Sequence, residues 1–185
     1  MDTMTPETNS DLKTRLSQRI GMQDIHEITF LVQNNNQKKQ KLYEYLFDND
    51  DSIGYNAAWV MTHFSSSENI WLYDKQDELI DALLVCEHPG KRRLILSLLF
   101  RQPLHNPPRI DLLDFCLERM ISKRELPGVQ SLCMKLAYEL CRLTPELLQE
   151  LKTILEMMEH DLVPAIRTVR KNILKAMPKG KSLQF

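Results

Sequence analysis

The stretch His88-Pro89-Gly90-Lys91-Arg92-Arg93-Leu94-Ile95-Leu96-Ser97-Leu98-Leu99 decides the fold. A Pro-Gly break stops one helix, and an apolar helix starts at once behind it. The same phrase returns as Leu126-Pro127-Gly128-Val129-Gln130-Ser131-Leu132-Cys133-Met134-Lys135-Leu136-Ala137. It returns with Ala in place of Gly as Val163-Pro164-Ala165-Ile166-Arg167-Thr168-Val169-Arg170-Lys171-Asn172-Ile173-Leu174. An earlier copy, without Pro, reads as starting at Gly54 and running through Tyr55, Trp59 and Met61 to His63. Measured between Gly54, Gly90, Gly128 and Ala165, the copies lie 36, 38 and 37 residues apart.

Between the copies lie partner helices with apolar faces around Leu42, Leu79, Leu113 and Leu148. A two-helix unit repeated every ~35–45 residues predicts an α-solenoid, in which no unit buries its apolar face alone and stacking makes one continuous core. Asn34-Asn35-Asn36 separates this region from two earlier helices that do not fit the repeat. The first is capped by Asn9 or Ser10 and carries Leu12, Leu16 and Ile20; the second carries Ile25, Ile28, Phe30, Leu31 and Val32. The expected organisation is residues 1–36 as N-terminal tail and capping helices, 37–177 as the repeat domain, and 178–185 as a basic tail. Within the partner helices, Thr144-Pro145-Glu146 predicts a start with a hydroxyl cap and Pro at the first helical position.

The unit resembles a HEAT or armadillo-type repeat, and the Pro164–Leu174 copy resembles the second helix of a HEAT unit in its Pro start and its Val169-Arg170 step. The resemblance covers about residues 37–177. It implies an all-α, right-handed α-α superhelix of about four HEAT-like units behind an N-terminal helical cap, with the inner helices lining a concave face. Tetratricopeptide repeats share the period, but their Trp, Leu-Gly-Tyr and small-residue pattern is missing.

Counting from each Gly or Ala165 as zero, positions +4 and +8 form the core stripe. Positions +2, +3 and +7 face the expected concave side. The candidate binding strip is therefore Asn56, Arg92, Arg93, Ser97, Gln130, Lys135, Arg167 and Asn172, with Lys175 at its end. Position +10 holds Phe64, Phe100 and Tyr138, read as packing between units. Trp59 reads as core.

Composition excludes several classes. The 185 residues carry a formal net charge of −1, which gives neither nucleic acid nor an anionic membrane a global attraction. From Asp161 onward, however, six Lys or Arg stand against one acid. The N-terminal Met1–Glu7 stretch shows no signal-peptide pattern, no apolar run is long enough for a span, and a cytoplasmic location is expected. The four cysteines, Cys86, Cys116, Cys133 and Cys141, sit in apolar runs without a CxxC pair and read as buried thiols.

No catalytic constellation stands out. His26-Glu27-Ile28-Thr29-Phe30 lacks the second His of a zinc helix, Cys86-Glu87-His88 supplies too few ligands, and Gly180-Lys181-Ser182 lacks the rest of a phosphate loop. His63 with Ser65–Ser67 is a weak nucleophile–base pair. No catalytic residue, metal or cofactor is expected.

The expected function is a non-enzymatic scaffold that binds a protein or peptide through the concave face. The first alternative is nucleic-acid binding through the basic strip, with an architecture resembling the DNA alkylation-repair glycosylases but without an acid beside an aromatic. A lyase-type enzyme is disfavoured, because the Ser-Ser-x-Met-Pro-x-Lys-x-Asn loop of the adenylosuccinate-lyase superfamily is absent.

Overall fold

The computed structural model describes residues 6–158 and 160–185, and for residues 6–10 the backbone alone. Among them the chain is all helix: α1 Pro6–Ser17, α2 Met22–Val32, α3 Asn36–Tyr45, α4 Asp51–Met61, α5 Ser66–Asn69, α6 Gln76–Val85, α7 Pro89–Phe100, α8 Ile110–Met120, α9 Pro127–Cys141, α10 Pro145–Met157 and α11 Pro164–Ala176. A 3-10 stretch, Ile70–Lys75, leads into α6, and a second, Met177–Lys179, follows α11.

Local chemistry sets the starts. Pro opens α7, α9, α10 and α11, where a missing amide donor costs nothing. Asn35 caps α3 by accepting from the Lys38 amide, and the Asp50 carboxylate caps α4 by accepting from the Ser52 amide. Asn34 takes the left-handed conformation, φ 61°, at the break before α3. Two expected caps are corrected. Asn9 and Ser10 lie inside α1, which begins at Pro6, and the Thr144 hydroxyl makes no cap bond at α10.

The helices form two layers. In one, α1, α4, α7, α9 and α11 stack side by side; in the other lie α3, α6, α8 and α10, each paired with the helix that follows it in the repeat. Successive helices of the first layer pack closely, whereas in the second only α6 and α8 make more than marginal contact. A layer whose members sit closer together is the inner side of a curved stack, so α4, α7, α9 and α11 line the concave face. The two N-terminal helices divide: α1 extends the inner row, while α2 lies against α3 and α4.

One continuous core runs through the stack, from Leu16 and Ile25 through Ala57, Leu96 and Cys133 to Leu155 and Ile173. Helix α9 sits at its centre, touching α7, α8, α10 and α11, and Cys133, Met134 and Leu136 to Cys141 are buried. Burial pushes the Cys116 thiol well up, and raises Cys141 to about 11, so both stay protonated at neutral pH.

The repeat register differs from the sequence reading in its first unit. Helix α4 begins at Asp51, not at Gly54. Measured from the helix starts Asp51, Pro89, Pro127 and Pro164, the spacing is 38, 38 and 37, more even than the Gly spacing. Gly54 therefore corresponds to Arg92, Gln130 and Arg167, and Tyr55 to Arg93. Packing shows the same equivalence independently. A Cβ on Gly90 would meet the Tyr55 ring at 2.9 Å, and a Cβ on Gly128 would meet Arg93 Cδ at 2.9 Å. The same register position of one inner helix, Tyr55 on α4 and Arg93 on α7, thus lies on the glycine in the first turn of the next.

These glycines are not equally replaceable. On Gly54 a Cβ would stand 2.9 Å from the Leu46 backbone oxygen, which cannot swing aside. We expect Gly54→Ala to destabilise by about 1–3 kcal/mol despite the better helix propensity of Ala. Gly128→Ala meets only the exposed, flexible Arg93 side chain, and we expect it to be neutral or up to about 1 kcal/mol more stable. Urea midpoints of the two variants measure the difference, and equal midpoints would contradict the close approach at Leu46.

Candidate functional site

The inner and outer layers differ in charge. Helices α7, α9 and α11 carry eight Lys or Arg against one acid, Glu139. The outer helices α6, α8 and α10 carry nine Asp or Glu against two cations, Arg119 and Lys152. Over these three units the inner row is basic and the outer row acidic, which a net charge near zero conceals. The first unit does not follow, since α3 carries Lys38, Lys39 and Lys41 against Glu44 and α4 carries Asp51 without a cation.

The expected strip residues separate into two groups. Asn56, Arg92 and Gln130 are buried, so they are not part of the accessible strip. The physical reason is that each satisfies backbone carbonyls at a turn. Arg92 donates to the Cys86 carbonyl through Nε at 3.1 Å and Nη2 at 2.7 Å, and its Nη1 lies 2.6 Å from Glu125 Oε1. Gln130 donates to the Ser122 carbonyl at 2.8 Å. Arg167, at the same register, donates to the Leu162 carbonyl at 2.9 Å while staying exposed. In all three units this register closes the turn between the paired helices. Asn56, two positions further along α4, bonds the Leu16 and Gln18 carbonyls at 2.8 and 3.1 Å and ties α4 to the end of α1.

The others remain accessible. Arg93, Arg167, Asn172 and Lys175 are exposed, and Ser97 and Lys135 are half-buried. Lys135 Nζ lies 5.5 Å from the centroid of the Phe100 ring, which joins the third unit to the second. Phe64 and Tyr138 are buried, as expected for packing residues.

With the corrected register, Tyr55 and Trp59 take the strip positions of Arg93 and Ser97. Trp59 is half-buried rather than core. Together with Asn56, Ser52, His88 and the Ser17–Ile20 turn they line a cavity of about 380 Å³ at the N-terminal end of the strip. The Tyr55 ring stands between Trp59 and His88, with centroids 6.1 and 5.7 Å away. His88 Nδ1 accepts the Lys91 amide at 3.0 Å and caps α7, which leaves its other nitrogen as the donor. Among the described residues no carboxylate lines the cavity, and Arg19 on its rim has no hydrogen-bond or ion-pair partner.

Sequence reading missed this aromatic end because it aligned the first copy on Gly54. The signal was present in Asp50-Asp51-Ser52, whose acids and hydroxyl mark a helix start. It also missed Glu125 and Glu139. Both are buried acids: Glu125 meets Arg92 of the preceding unit and Arg119, and Glu139, beside its i+3 neighbour Arg142, meets Ser182 and the Leu183 amide. The contacts with Arg92, Ser182 and Leu183 form only through packing.

The C-terminal residues fold back over the ends of the inner helices. Tyr138 Oη donates to the Lys181 carbonyl at 2.8 Å, and Gln184 Nε2 donates to the Phe100 and Gln102 carbonyls at 2.7 and 2.8 Å. Arg101 does the same one unit earlier, donating to the Thr62 and Phe64 carbonyls, both at 2.7 Å. The otherwise orphaned carbonyls at the ends of α4 and α7 are thereby satisfied.

The weaker chemical candidates are not assembled. A ring nitrogen of His63 lies 3.0 Å from the Trp59 carbonyl, while Ser65 Oγ bonds Ser67 Oγ and caps α5. Among the described residues no cluster of three or more His, Cys, Asp or Glu is placed to hold a metal ion, and no helix is long and apolar enough to cross a membrane.

The comparisons accord with this architecture. The chain is similar to the crystal structure of an engineered protein, a structural-genomics target, with a TM-score of 0.60 and 10% identity, covering 97% of this chain and 92% of that one. At that identity the likeness shows the fold alone. No curated protein matches the chain. The family model for the HEAT repeat domain matches residues 12–177, from the middle of α1 to the end of α11, and the chain belongs to the HEAT repeat family.

Proposed function

We propose that the chain is a non-enzymatic scaffold whose concave face docks an acidic segment of a partner protein. The observation that carries this reading is the division of charge: cations concentrated on α7, α9 and α11, acids on α6, α8 and α10. Opposed layers of this kind orient an acidic partner toward the inner face and repel it from the outer one. HEAT repeats generally mediate protein interactions, which agrees with a protein partner. The accessible strip of Arg93, Ser97, Lys135, Arg167, Asn172 and Lys175 is the surface assigned to the contact.

Each exposed ion pair contributes only about 0.2–1 kcal/mol, so two reversals are needed for a clear effect. We expect the double variant Arg93→Glu, Lys135→Glu to keep its helical circular dichroism and to lose roughly tenfold in affinity for a fluorescein-labelled acidic peptide. Unchanged affinity would overturn the reading. So would stronger binding of duplex DNA that collapses by about 10³ or more between ~50 and ~200 mM salt, the response of a phosphate-binding surface.

A further inference from the structure

We infer that the cavity beside Tyr55, Trp59 and His88 is an anchor site for one aromatic side chain of the docked acidic segment, with Arg19 holding a carboxylate next to that side chain. The inference rests on the proposed concave docking surface and adds what that surface recognises.

Four features of the cavity carry it. First, it sits in line with the strip, since Tyr55 and Trp59 occupy the register of Arg93 and Ser97 one unit earlier. A chain laid along the cations meets it next. Second, its walls are two aromatic rings and an imidazole, held in place from below, because the Tyr55 ring rests on Gly90 where a Cβ would not fit. Preformed aromatic walls favour edge-to-face seating of another ring. Third, the cavity presents donors. The Trp59 indole N–H and the Tyr55 hydroxyl have no hydrogen-bond partner among the described residues, and His88 keeps a free ring nitrogen. Fourth, among the described residues no carboxylate is in the lining and Arg19 at the rim has no ion-pair partner, so the electrostatics suit an aromatic flanked by acids and disfavour one flanked by cations.

Spacing narrows the partner further. Packed helices lie about 8–10 Å apart, and an extended chain advances about 3.3 Å per residue. One unit of the stack therefore corresponds to about three residues of an extended ligand. An aromatic residue in the cavity places acids about three and six residues away opposite Arg93 on α7 and Lys135 on α9. The expected motif is an aromatic residue with an adjacent acid and further acids at steps of three.

The test uses the whole chain and two labelled twelve-residue peptides. One carries a single phenylalanine with glutamates beside it and at steps of three on both sides; the other has alanine in place of the phenylalanine. Affinity is read by fluorescence anisotropy. Occupancy of the cavity is read from the Trp59 indole N–H resonance, assigned with the Trp71→Phe variant. The phenylalanine peptide should bind at least about tenfold more tightly, the range of an aromatic hot spot, and should shift the Trp59 resonance. Trp59→Ala should abolish the preference for phenylalanine. Should that variant fail to fold, Arg19→Glu, which changes an exposed side chain, should still weaken the phenylalanine peptide several-fold more than the alanine peptide. Equal affinities with an unmoved Trp59 resonance would overturn the anchor and leave the docking strip standing. If neither peptide binds, both readings fall. A single-stranded oligonucleotide that shifts Trp59 when the peptide does not would overturn the peptide assignment.

Discussion

Replacing Glu125 with alanine should cost about 3–5 kcal/mol of folding stability, far more than a single residue between helices would suggest. Glu125 lies in the short connection between α8 and α9, yet its side chain is 3% exposed. Its Oε1 receives Arg92 Nη1 at 2.6 Å and Arg119 Nη1 at 2.9 Å. Arg92 comes from the preceding unit and has only 10% of its side chain exposed. Without Glu125 the guanidinium of Arg92 stays buried, held by the Cys86 carbonyl, with no counter-charge. Arg92→Met combined with Glu125→Ala removes the stranded charge. We expect that double variant to be less destabilised than Glu125→Ala alone, although it loses the two bonds to Cys86. Guanidinium denaturation of the single and double variants gives the answer. A Glu125→Ala cost below about 1 kcal/mol would mean that the pair does not join the second and third units.

Leu136→Asp should abolish cooperative folding. Leu136 is fully buried on α9, the helix that touches four others. Deleting a leucine side chain in such a place costs about 2–5 kcal/mol by itself, against a typical total of 5–15 kcal/mol. An aspartate adds an unpaired carboxyl that has no route to solvent. Leu132→Asp, one turn earlier on the same helix, should be milder, because Leu132 is only half-buried and a carboxylate there reaches water. Thermal melts followed by circular dichroism separate the two, and a native-like melt for Leu136→Asp would contradict the burial of α9.

The difference between Leu132 and Leu136 shows how far a repeat can be read from its letters. Both fall on the apolar stripe, and the period places both in the core. Which one is sealed depends on the neighbouring α7 and α11, and no periodicity within α9 contains them. The same holds for Asn56, Arg92 and Gln130. As polar residues on an otherwise apolar helix they suggest a solvated face. They are instead buried, because turn carbonyls need donors and these side chains reach them. A carbonyl awaiting a donor leaves no mark in a hydropathy pattern.

The first copy carries the other lesson. Glycine is a conspicuous letter, and aligning on it placed Gly54 opposite Gly90. Its actual equivalents are Arg92 and Gln130, since α4 starts at the capping residues three positions earlier. That shift of two residues turns nearly half a helical circumference, enough to hide Tyr55 and Trp59 from the candidate surface.

The amino-acid sequence by itself determined the all-helical class, the unit length of about 37 residues and the solenoid of paired helices, because these rest on short-range chemistry: proline starts, capping side chains and apolar spacing within one helix. Tertiary structure alone decided which polar residues are accessible, where the aromatic cavity opens and how charge divides between the layers. Those properties belong to side chains brought together from different units, and only the stacking distance and register between helices set them.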